Sequence, residues 1–264
     1  MATQVYTDKS FAKLMLQKMI LRANDKLHPA SLENWRKIFA GNGETFTNKD
    51  GKAVKLTSLI GIEIVEYDKK QAVGAKTGRS LEYNLTVPNI AMIMRNIYNS
   101  ANVSGVLFSD VKTHAFVKNN AGKGEVLNFE IRREPKMRDG AQSKYPYLIT
   151  IKKGWAFLLK EGVGFTSNSY EQDFYLSVRL SYADICAFFE AVQQGIDVFR
   201  MTEGTKLRRK GMEYEMQAAK QAAMNAQMNA AAQALPEQNN VPQDFVDIPE
   251  DAWLGQPLPP NLMP

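Results

Sequence analysis

The sequence predicts an α+β fold in which an antiparallel β-sheet followed by a helix occurs twice, with a C-terminal helix and a disordered acidic tail after it. Three observations lead to this prediction. Residues 54–101 align without a gap with residues 149–196. Both segments change from a two-residue to a 3.6-residue apolar spacing at the same point, which is typical of a strand followed by a helix. The composition then shifts after Met201 and again at Pro236.

The repeated segment matches apolar positions rather than identities. Leu81, Tyr83 and Leu85 in the first copy fall on Leu176, Val178 and Leu180 in the second. Ile60, Ile62 and Ile64 fall on Trp155, Phe157 and Leu159 at the same offset of 95 residues. A repeat of this kind predicts two similar sheets packed about a pseudo-two-fold axis.

The individual elements follow from local patterns. Helices are predicted at 10–22, where Ser10 can act as the N-cap, and at 31–39, which Gly41 and Gly43 end. Strands are predicted from alternation at 45–47, 54–67, 81–87, 106–117, 125–133, 147–159 and 174–180. The segment 54–67 is either one long strand or a bent pair of strands with the bend at Gly61. Helices are predicted at 88–100, 181–200 and 212–235. The domain limits expected from these elements are 1–203, 204–235 and 236–264.

Charge divides the chain into a basic body and an acidic tail. All 33 Lys and Arg residues and 23 of the 28 acids precede Pro236, so residues 1–235 carry a formal charge of +10. This separation indicates a polyanionic ligand for the body and a different role for the tail. The apolar run at 11–21 is short and interrupted by lysines, which predicts no membrane span and a cytoplasmic location.

Enzyme chemistry is disfavoured by what the sequence offers. The chain has two histidines, His28 and His114, and one cysteine, Cys186, so a hydrolytic triad or a His/Cys metal site is not expected. The run at 73–78 lacks the spacing of a phosphate-binding loop. A magnesium-dependent nuclease using Asp110 and Lys112, or Glu125, Glu130 and Lys136, is kept as an alternative. No catalytic residue, metal or cofactor is predicted.

Basic residues near aromatic ones predict binding of single-stranded nucleic acid. Lysine and arginine can hold phosphates while tyrosine stacks on bases, and stacking needs no particular sequence. Tyr83 is expected in the core instead. The candidate contacts are Lys69, Lys70, Lys76, Arg79, Arg132, Arg133, Lys136, Arg138, Lys144, Tyr145, Tyr147, Lys152, Lys153, Tyr175 and Arg179.

The C-terminal tail carries a second signal. Residues 244–251 mix acids with Phe, Val, Ile and Pro, and Trp253 follows. This segment resembles the acidic, Asp-Ile-Pro-containing tail of bacterial and phage single-stranded DNA-binding proteins, although here Phe245 precedes the Asp-Ile-Pro. The resemblance implies partner recruitment through Phe245, Asp247, Ile248, Glu250, Asp251 and Trp253.

The whole layout resembles the single-stranded DNA-binding proteins of phages that package an RNA polymerase in the virion, which also serve as transcription cofactors. The repeated sheet and helix are also similar to the Whirly and PC4-type fold, which has four strands in each half, whereas the first half here shows three. The resemblance implies a non-enzymatic, homo-oligomeric protein of phage replication, recombination or transcription, located in the host cytoplasm. Alternatives are a strand-annealing recombination mediator and an RNA-binding protein.

Overall fold

Two four-stranded antiparallel sheets, each followed by a helix, form the first part of the chain. The structure is a computed structural model and describes residues 10–47, 50–66, 78–137, 139–159 and 164–234. Contacts divide the chain into a unit of residues 1–214 and a unit of residues 215–264. The described part of the second unit is helical, and nearly all of its side chains are exposed.

The first sheet contains four strands, and a separate hairpin is inserted among them. The strands are, in chain order, β1 (Ser10–Met15), β2 (Met19–Lys26), β3 (Glu44–Thr47), β4 (Ala53–Leu56), β5 (Leu59–Glu66) and β6 (Ser80–Thr86). The sheet order is β1-β2-β5-β6, while β3 and β4 pair only with each other. Helix α1 (Val87–Tyr98) follows directly, and the hydroxyl of Thr86 accepts a hydrogen bond from the Asn89 amide at 3.4 Å as its N-cap.

The second sheet is a simple meander. Its strands are β7 (Gly105–Lys118), β8 (Gly124–Arg133), β9 (Tyr147–Ala156) and β10 (Glu171–Leu180), each hydrogen-bonded to the next. Helix α2 (Tyr182–Ala234) follows and joins the two helices predicted separately at 181–200 and 212–235. The predicted α+β fold, with two sheet-and-helix units and a C-terminal helix, is therefore confirmed.

The N-terminal helix predictions are wrong, and the error explains the missing fourth strand. Residues 10–22 form β1, a turn and the start of β2, and residues 31–39 contain only a short 3-10 turn at Leu32–Asn34. Ala, Leu, Met and Lys favour helices in isolation, but pairing with β5 over eight residues decides the outcome. Neither alternative for the segment 54–67 is found, because Thr57 and Ser58 separate β4 from β5 and Gly61 lies within β5.

The internal repeat is present, but its first strand is shifted from the gapless alignment. Leu85 and Leu180 correspond at the expected offset of 95 residues. Their strand partners, Ile60 and Tyr147, are only 87 residues apart. The difference arises because strands of the second unit are longer. β9 and β10 have 10 residues each, compared with 8 in β5 and 7 in β6. The β9–β10 hairpin therefore extends beyond the length that the first sheet reaches.

One apolar core is shared by both sheets and both helices. The rings of Tyr83 on β6 and Phe129 on β8 stack at 5.4 Å, and Phe108 on β7 meets Phe129 edge-on at 6.0 Å. Tyr83 is fully buried, as the sequence predicted. The helices contribute Ile90, Ile93, Ile97, Ile185, Phe188, Phe189, Val192 and Ile196 to the same cluster.

Helix α2 also packs on the segment between β2 and β3. Phe39 stacks on Phe199 at 5.6 Å. Gly211 lies against the root of the Trp35 side chain, so that a Cβ at this position would overlap its Cβ and Cγ. Gly204 is less crowded, because the nearest atom to a Cβ there is Ile38 Cγ2 at 3.3 Å. Within the described residues, no helix is long and apolar enough to cross a membrane.

We expect Gly211→Ala to lower the free energy of unfolding by about 1 kcal/mol, since the overlap with Trp35 outweighs the gain in helix propensity. Gly204→Ala is the matched control and is expected to raise stability by up to about 1 kcal/mol, because the end of the Ile38 side chain can move aside. Denaturant unfolding followed by circular dichroism measures both. Stabilisation by both substitutions would show that Trp35 does not hold the helix.

Candidate nucleic-acid interface

One face of the second sheet faces away from the core and carries polar side chains in three rows. Because side chains alternate along each strand, the register places every second residue of β7–β10 on this face. We call it the outer face. Its rows are Val111, Asn128, Lys152 and Tyr175; Ser109, Glu130, Thr150 and Ser177; and Val106, Arg132, Leu148 and Arg179.

Tyr175 and Lys152 form the part of the outer face best suited to a nucleotide. The two residues are direct cross-strand partners on β10 and β9. Tyr175 is 54% exposed, so its ring is open to stacking. Among the described residues, Lys152 has no carboxylate within ion-pair distance. An open aromatic ring beside an unneutralised ammonium group can stack a base and attract its phosphate.

The two arginines of the outer face are held in ion pairs. The Nε of Arg132 donates to Glu130 Oε1 at 3.1 Å, and the Nη2 of Arg179 donates to Glu134 Oε2 at 2.5 Å. Both arginine side chains remain 40% or more exposed. A guanidinium group has five N–H donors, so a phosphate can bind those that do not bind the glutamate.

Segments at both ends of the strands border the outer face. At one end, a pocket of ≈ 1000 Å³ is lined by Lys136, Met137, Lys144, Tyr145 and Arg179, with five neighbouring residues. At the other end, the Tyr170 ring lies on Gly154 and the Leu158 side chain lies on Gly124. The open part between them spans four strands and four residues of strand length, or about 14 by 13 Å. A few nucleotides of a single strand fit this area.

The equivalent face of the first sheet lacks these features. By the pairing of the two hairpins, Val65 and Ser80 occupy the positions of Lys152 and Tyr175. Glu82 occupies the position of Ser177, and its carboxylate is bound by Lys26 and Asn24. The first sheet therefore presents neither a stacking ring nor an unpaired cation at the matching site, which makes the second sheet the better candidate.

Several predicted contact residues lie away from the outer face. Lys153 points to the opposite side of β9 and binds Glu125 at 2.5 Å. Burial raises the pKa of Glu125, but hydrogen bonds from Lys153 and His114 lower it more, so its pKa lies below the ordinary value. Arg133 donates to the Val103 carbonyl at 2.7 Å and lies over the Tyr147 ring.

Tyr147 was predicted on the binding surface, and the structure corrects this. It is 2% exposed, and its hydroxyl lies 2.7 Å from the Ser100 hydroxyl inside the core. The sequence pattern did not separate it from Tyr145, which is 45% exposed with the Lys144 amine 5.7 Å from its ring. Pro146 lies between them, at the point where the loop ends and β9 begins.

Arg79 is placed at the edge of β10. Its guanidinium donates to Glu66 Oε2 at 3.1 and 3.2 Å and lies 5.9 Å from the Phe174 ring, next to Tyr175 in sequence. Lys69, Lys70, Lys76 and Arg138 lie outside the described residues. So do the tail residues Phe245, Asp247, Ile248, Glu250, Asp251 and Trp253.

The sequence analysis missed the polar residues between the candidate contacts. Asn128, Thr150 and Ser177 share the outer face with Lys152 and Tyr175, and alternation along the strands would have found them. It also missed an aromatic group at the end of the sheet. Phe116 is fully exposed and Phe157 is 52% exposed, with the Lys123 amine 5.3 Å from the Phe157 ring.

The acids of the nuclease alternative do not converge. Glu130 lies on the outer face, whereas Asp110 and Glu125 lie on the opposite side of the sheet. Asp110 is close to Tyr83, whose pKa is raised mainly by burial and further by that carboxylate. Within the described ranges, no three His, Cys, Asp or Glu side chains lie close enough to hold a metal ion.

Comparisons with known proteins found structural likeness without sequence likeness. No protein-family model and no curated protein sequence matches the chain. The crystal structure of WHY1 from Arabidopsis thaliana aligns over 79% of this chain and 90% of its own, with 11% identity and a TM-score of 0.30. The plant transcriptional regulator PBF-2 aligns over 71% and 94%, with 9% identity and a TM-score of 0.30. Similarity of this size assigns neither a family nor a function.

We expect Tyr147→Phe to lower the free energy of unfolding by about 1 kcal/mol, because the buried hydrogen bond between the Tyr147 and Ser100 hydroxyls is lost, while Ser100 keeps its bond to the Ile97 carbonyl. Tyr175→Phe, the matched control, is expected to change stability by less than about 0.5 kcal/mol because its hydroxyl is on an exposed side chain. Chemical denaturation measures both. Equal effects would contradict the assignment of one tyrosine to the core and the other to the surface.

Proposed function

We propose that this protein is a non-enzymatic, single-stranded DNA-binding protein that holds the strand on the outer face with little dependence on sequence. The observation that carries the proposal is the direct pairing of the exposed Tyr175 with Lys152. A sheet face that combines a stacking ring with cations is the general means of binding single strands without base recognition.

The charge of the body supports the same proposal. Residues 1–235 carry a formal charge of +10, which attracts a polyanion over a long range at low salt. On the outer face, Arg132 and Arg179 lie two cross-strand rows away from Lys152. The cations therefore lie on both sides of the central row. A DNA backbone that crosses the sheet would contact Lys152 on one side of this row and the two arginines on the other.

We expect single-stranded DNA to bind more tightly than duplex and to weaken steeply as salt rises, because phosphate contacts release counterions. Fluorescence anisotropy at two salt concentrations measures this with single-stranded DNA, duplex and RNA of one sequence. Equal affinity for duplex would place the ligand on another surface. Tighter binding of RNA would favour the RNA-binding alternative.

Adjacent lysines provide a matched test of the face. Lys152→Gln is expected to lower the slope of log K against log salt by about 0.7, the loss of one phosphate contact. Lys153→Gln removes the same charge from the opposite side of β9 and keeps a donor for Glu125, so the slope is expected to stay unchanged. Identical slopes for the two variants would move the DNA away from the outer face.

Tyr175→Ala tests the stacking contact. Loss of one stacked base is expected to weaken binding by about 1–3 kcal/mol for all sequences. Because Tyr175 is exposed, the variant is expected to unfold at the same denaturant concentration as the parent. A folded variant with unchanged affinity would refute the stacking role.

The biological role proposed here is in phage replication, recombination or transcription. The support is the resemblance of the layout and of the acidic tail to single-stranded DNA-binding proteins of phages. An annealing assay with complementary strands distinguishes simple binding from the recombination-mediator alternative. Incubation of labelled single strands with magnesium tests the nuclease alternative.

The acidic tail is proposed to recruit partner proteins such as RNA polymerase. Its five acids favour a basic surface, and Phe245, Ile248 and Trp253 add apolar groups that purely electrostatic masking does not need. Because the tail is tethered to a basic body, it also competes weakly with DNA at a high local concentration.

Deletion of residues 236–264 is expected to keep single-strand binding, to strengthen it slightly at low salt, and to abolish partner recruitment. Anisotropy and co-purification with RNA polymerase or replication proteins measure the two activities. A variant with the five acids neutralised and the apolar residues intact separates charge from recognition. Loss of DNA binding on deletion would show that the tail is structural.

We also propose that the protein is a homo-oligomer. Met212, Met216, Met224 and Met228 on α2 are more than half exposed, and methionine side chains adapt readily to a protein partner. Light scattering on the full chain is expected to give a mass above that of one copy.

A further inference from the structure

We propose that Glu130 gives the outer face a base preference, favouring bases with an exocyclic amino group over bases with a carbonyl at that position. The inference rests on the proposed single-strand binding and deepens it. It concerns the one acidic side chain in the central row of the outer face.

Glu130 is held in place by an ion pair with Arg132, and its neighbours within its own row carry no charge. It lies opposite Ser109 on one side and Thr150 on the other, with Ser177 next in the row. Its side chain is 18% exposed, and Oε1 accepts the hydrogen bond from Arg132 Nε at 3.1 Å. The ion pair turns the carboxylate along β8 toward the row of Arg132 and Arg179, and Oε2 accepts no hydrogen bond from the described residues.

A carboxylate in this place favours bases over phosphates. Lys152 and Tyr175 lie in the next row, and Arg132 and Arg179 lie in the row beyond Glu130. Phosphates are attracted to these flanking cations and repelled from the centre. A base that stacks near Tyr175 and extends over Ser177 and Thr150 therefore turns its edge toward Glu130, about two strand spacings or 10 Å away from β10.

Glu130 discriminates because an ionised carboxylate can only accept hydrogen bonds. Cytosine offers an amino group, which glutamate accepts, whereas uracil and thymine offer a carbonyl oxygen at that position. A carboxylate oxygen that faces this carbonyl gains no hydrogen bond from it, and the two oxygens repel each other. The neighbouring groups do not cancel this effect. Serine and threonine hydroxyls both donate and accept, and every base has acceptors for Lys152.

Oligomers of deoxycytidine and deoxyuridine are the appropriate probes. Both bases are pyrimidines without a methyl group, and they differ only in the substituent at C4 and the proton at N3. Differences in stacking and in backbone charge are thereby kept small. The measured quantity is the ratio of the two dissociation constants, obtained by anisotropy at one salt concentration.

We expect the parent protein to bind the deoxycytidine oligomer about five- to tenfold more tightly. Glu130→Gln is expected to bring the ratio close to one, chiefly by improving deoxyuridine binding, because an amide can donate to the carbonyl. Glu134→Gln is the matched control. It removes one negative charge from the Arg179 pair at the border of the face, so both affinities rise together and the ratio stays as in the parent.

Two results would overturn the inference. One is equal affinity of the parent protein for the two oligomers, a measurement that needs no variant. The other is a rise of both affinities in the same proportion for Glu130→Gln as for Glu134→Gln, which would make Glu130 an ordinary surface charge. In both cases single-strand binding itself would stand. Failure of the parent to bind either oligomer would instead remove the proposed function together with this inference.

Discussion

The stacking of Tyr83 on Phe129 across the two sheets is the contact on which the rest of the structure depends. It joins a strand of the first sheet to a strand of the second and is fully buried. Because each sheet uses one face for this packing, alternation along the strands forces the other face toward solvent. The exposed face that carries the candidate site is thus a consequence of the core. Odd and even positions along a strand lie on opposite faces, so each side chain faces either the core or the solvent side of its sheet.

The same alternation decides which charged side chains lie on the outer face, where they can act on a ligand. Lys152 and Lys153 are adjacent in sequence, yet one faces solvent without a described acidic partner and the other is bound to Glu125. The net charge of the body therefore overstates the charge that the outer face presents. Arg132 and Arg179 are each paired with a glutamate. The outer face therefore combines the Lys152 amine, which has no described acidic partner, with carboxylates that can accept hydrogen bonds. Such a surface can attract a polyanion while still distinguishing between parts of a nucleotide.

Much of the second half of the fold was predictable from sequence, because its strands alternate clearly and a helix follows them. The strands at 125–133 and 174–180 lie within β8 and β10. The N-terminal half was not predictable from sequence. The apolar residues of 10–22 are spaced as in a helix, and only the pairing of β2 with β5 shows that this segment forms strands. For the candidate site, the sequence supplied the basic and aromatic residue types. It did not supply the assignment of Tyr147 to the core, which depends on where β9 begins relative to Pro146 and on the distant Ser100.

The greater length of β9 and β10 bears on how many strands of DNA one molecule would hold under the proposed function. Had the two halves remained equivalent, a pseudo-two-fold axis would give each chain two matching faces and allow two strands to be bound symmetrically. The hairpins instead differ in length, and Val65 and Ser80 stand where the longer hairpin has Lys152 and Tyr175. Only the second sheet therefore carries the candidate site. If the proposed function holds, the expected stoichiometry is one DNA segment per chain, so an assembly of several copies would offer one such surface for each subunit.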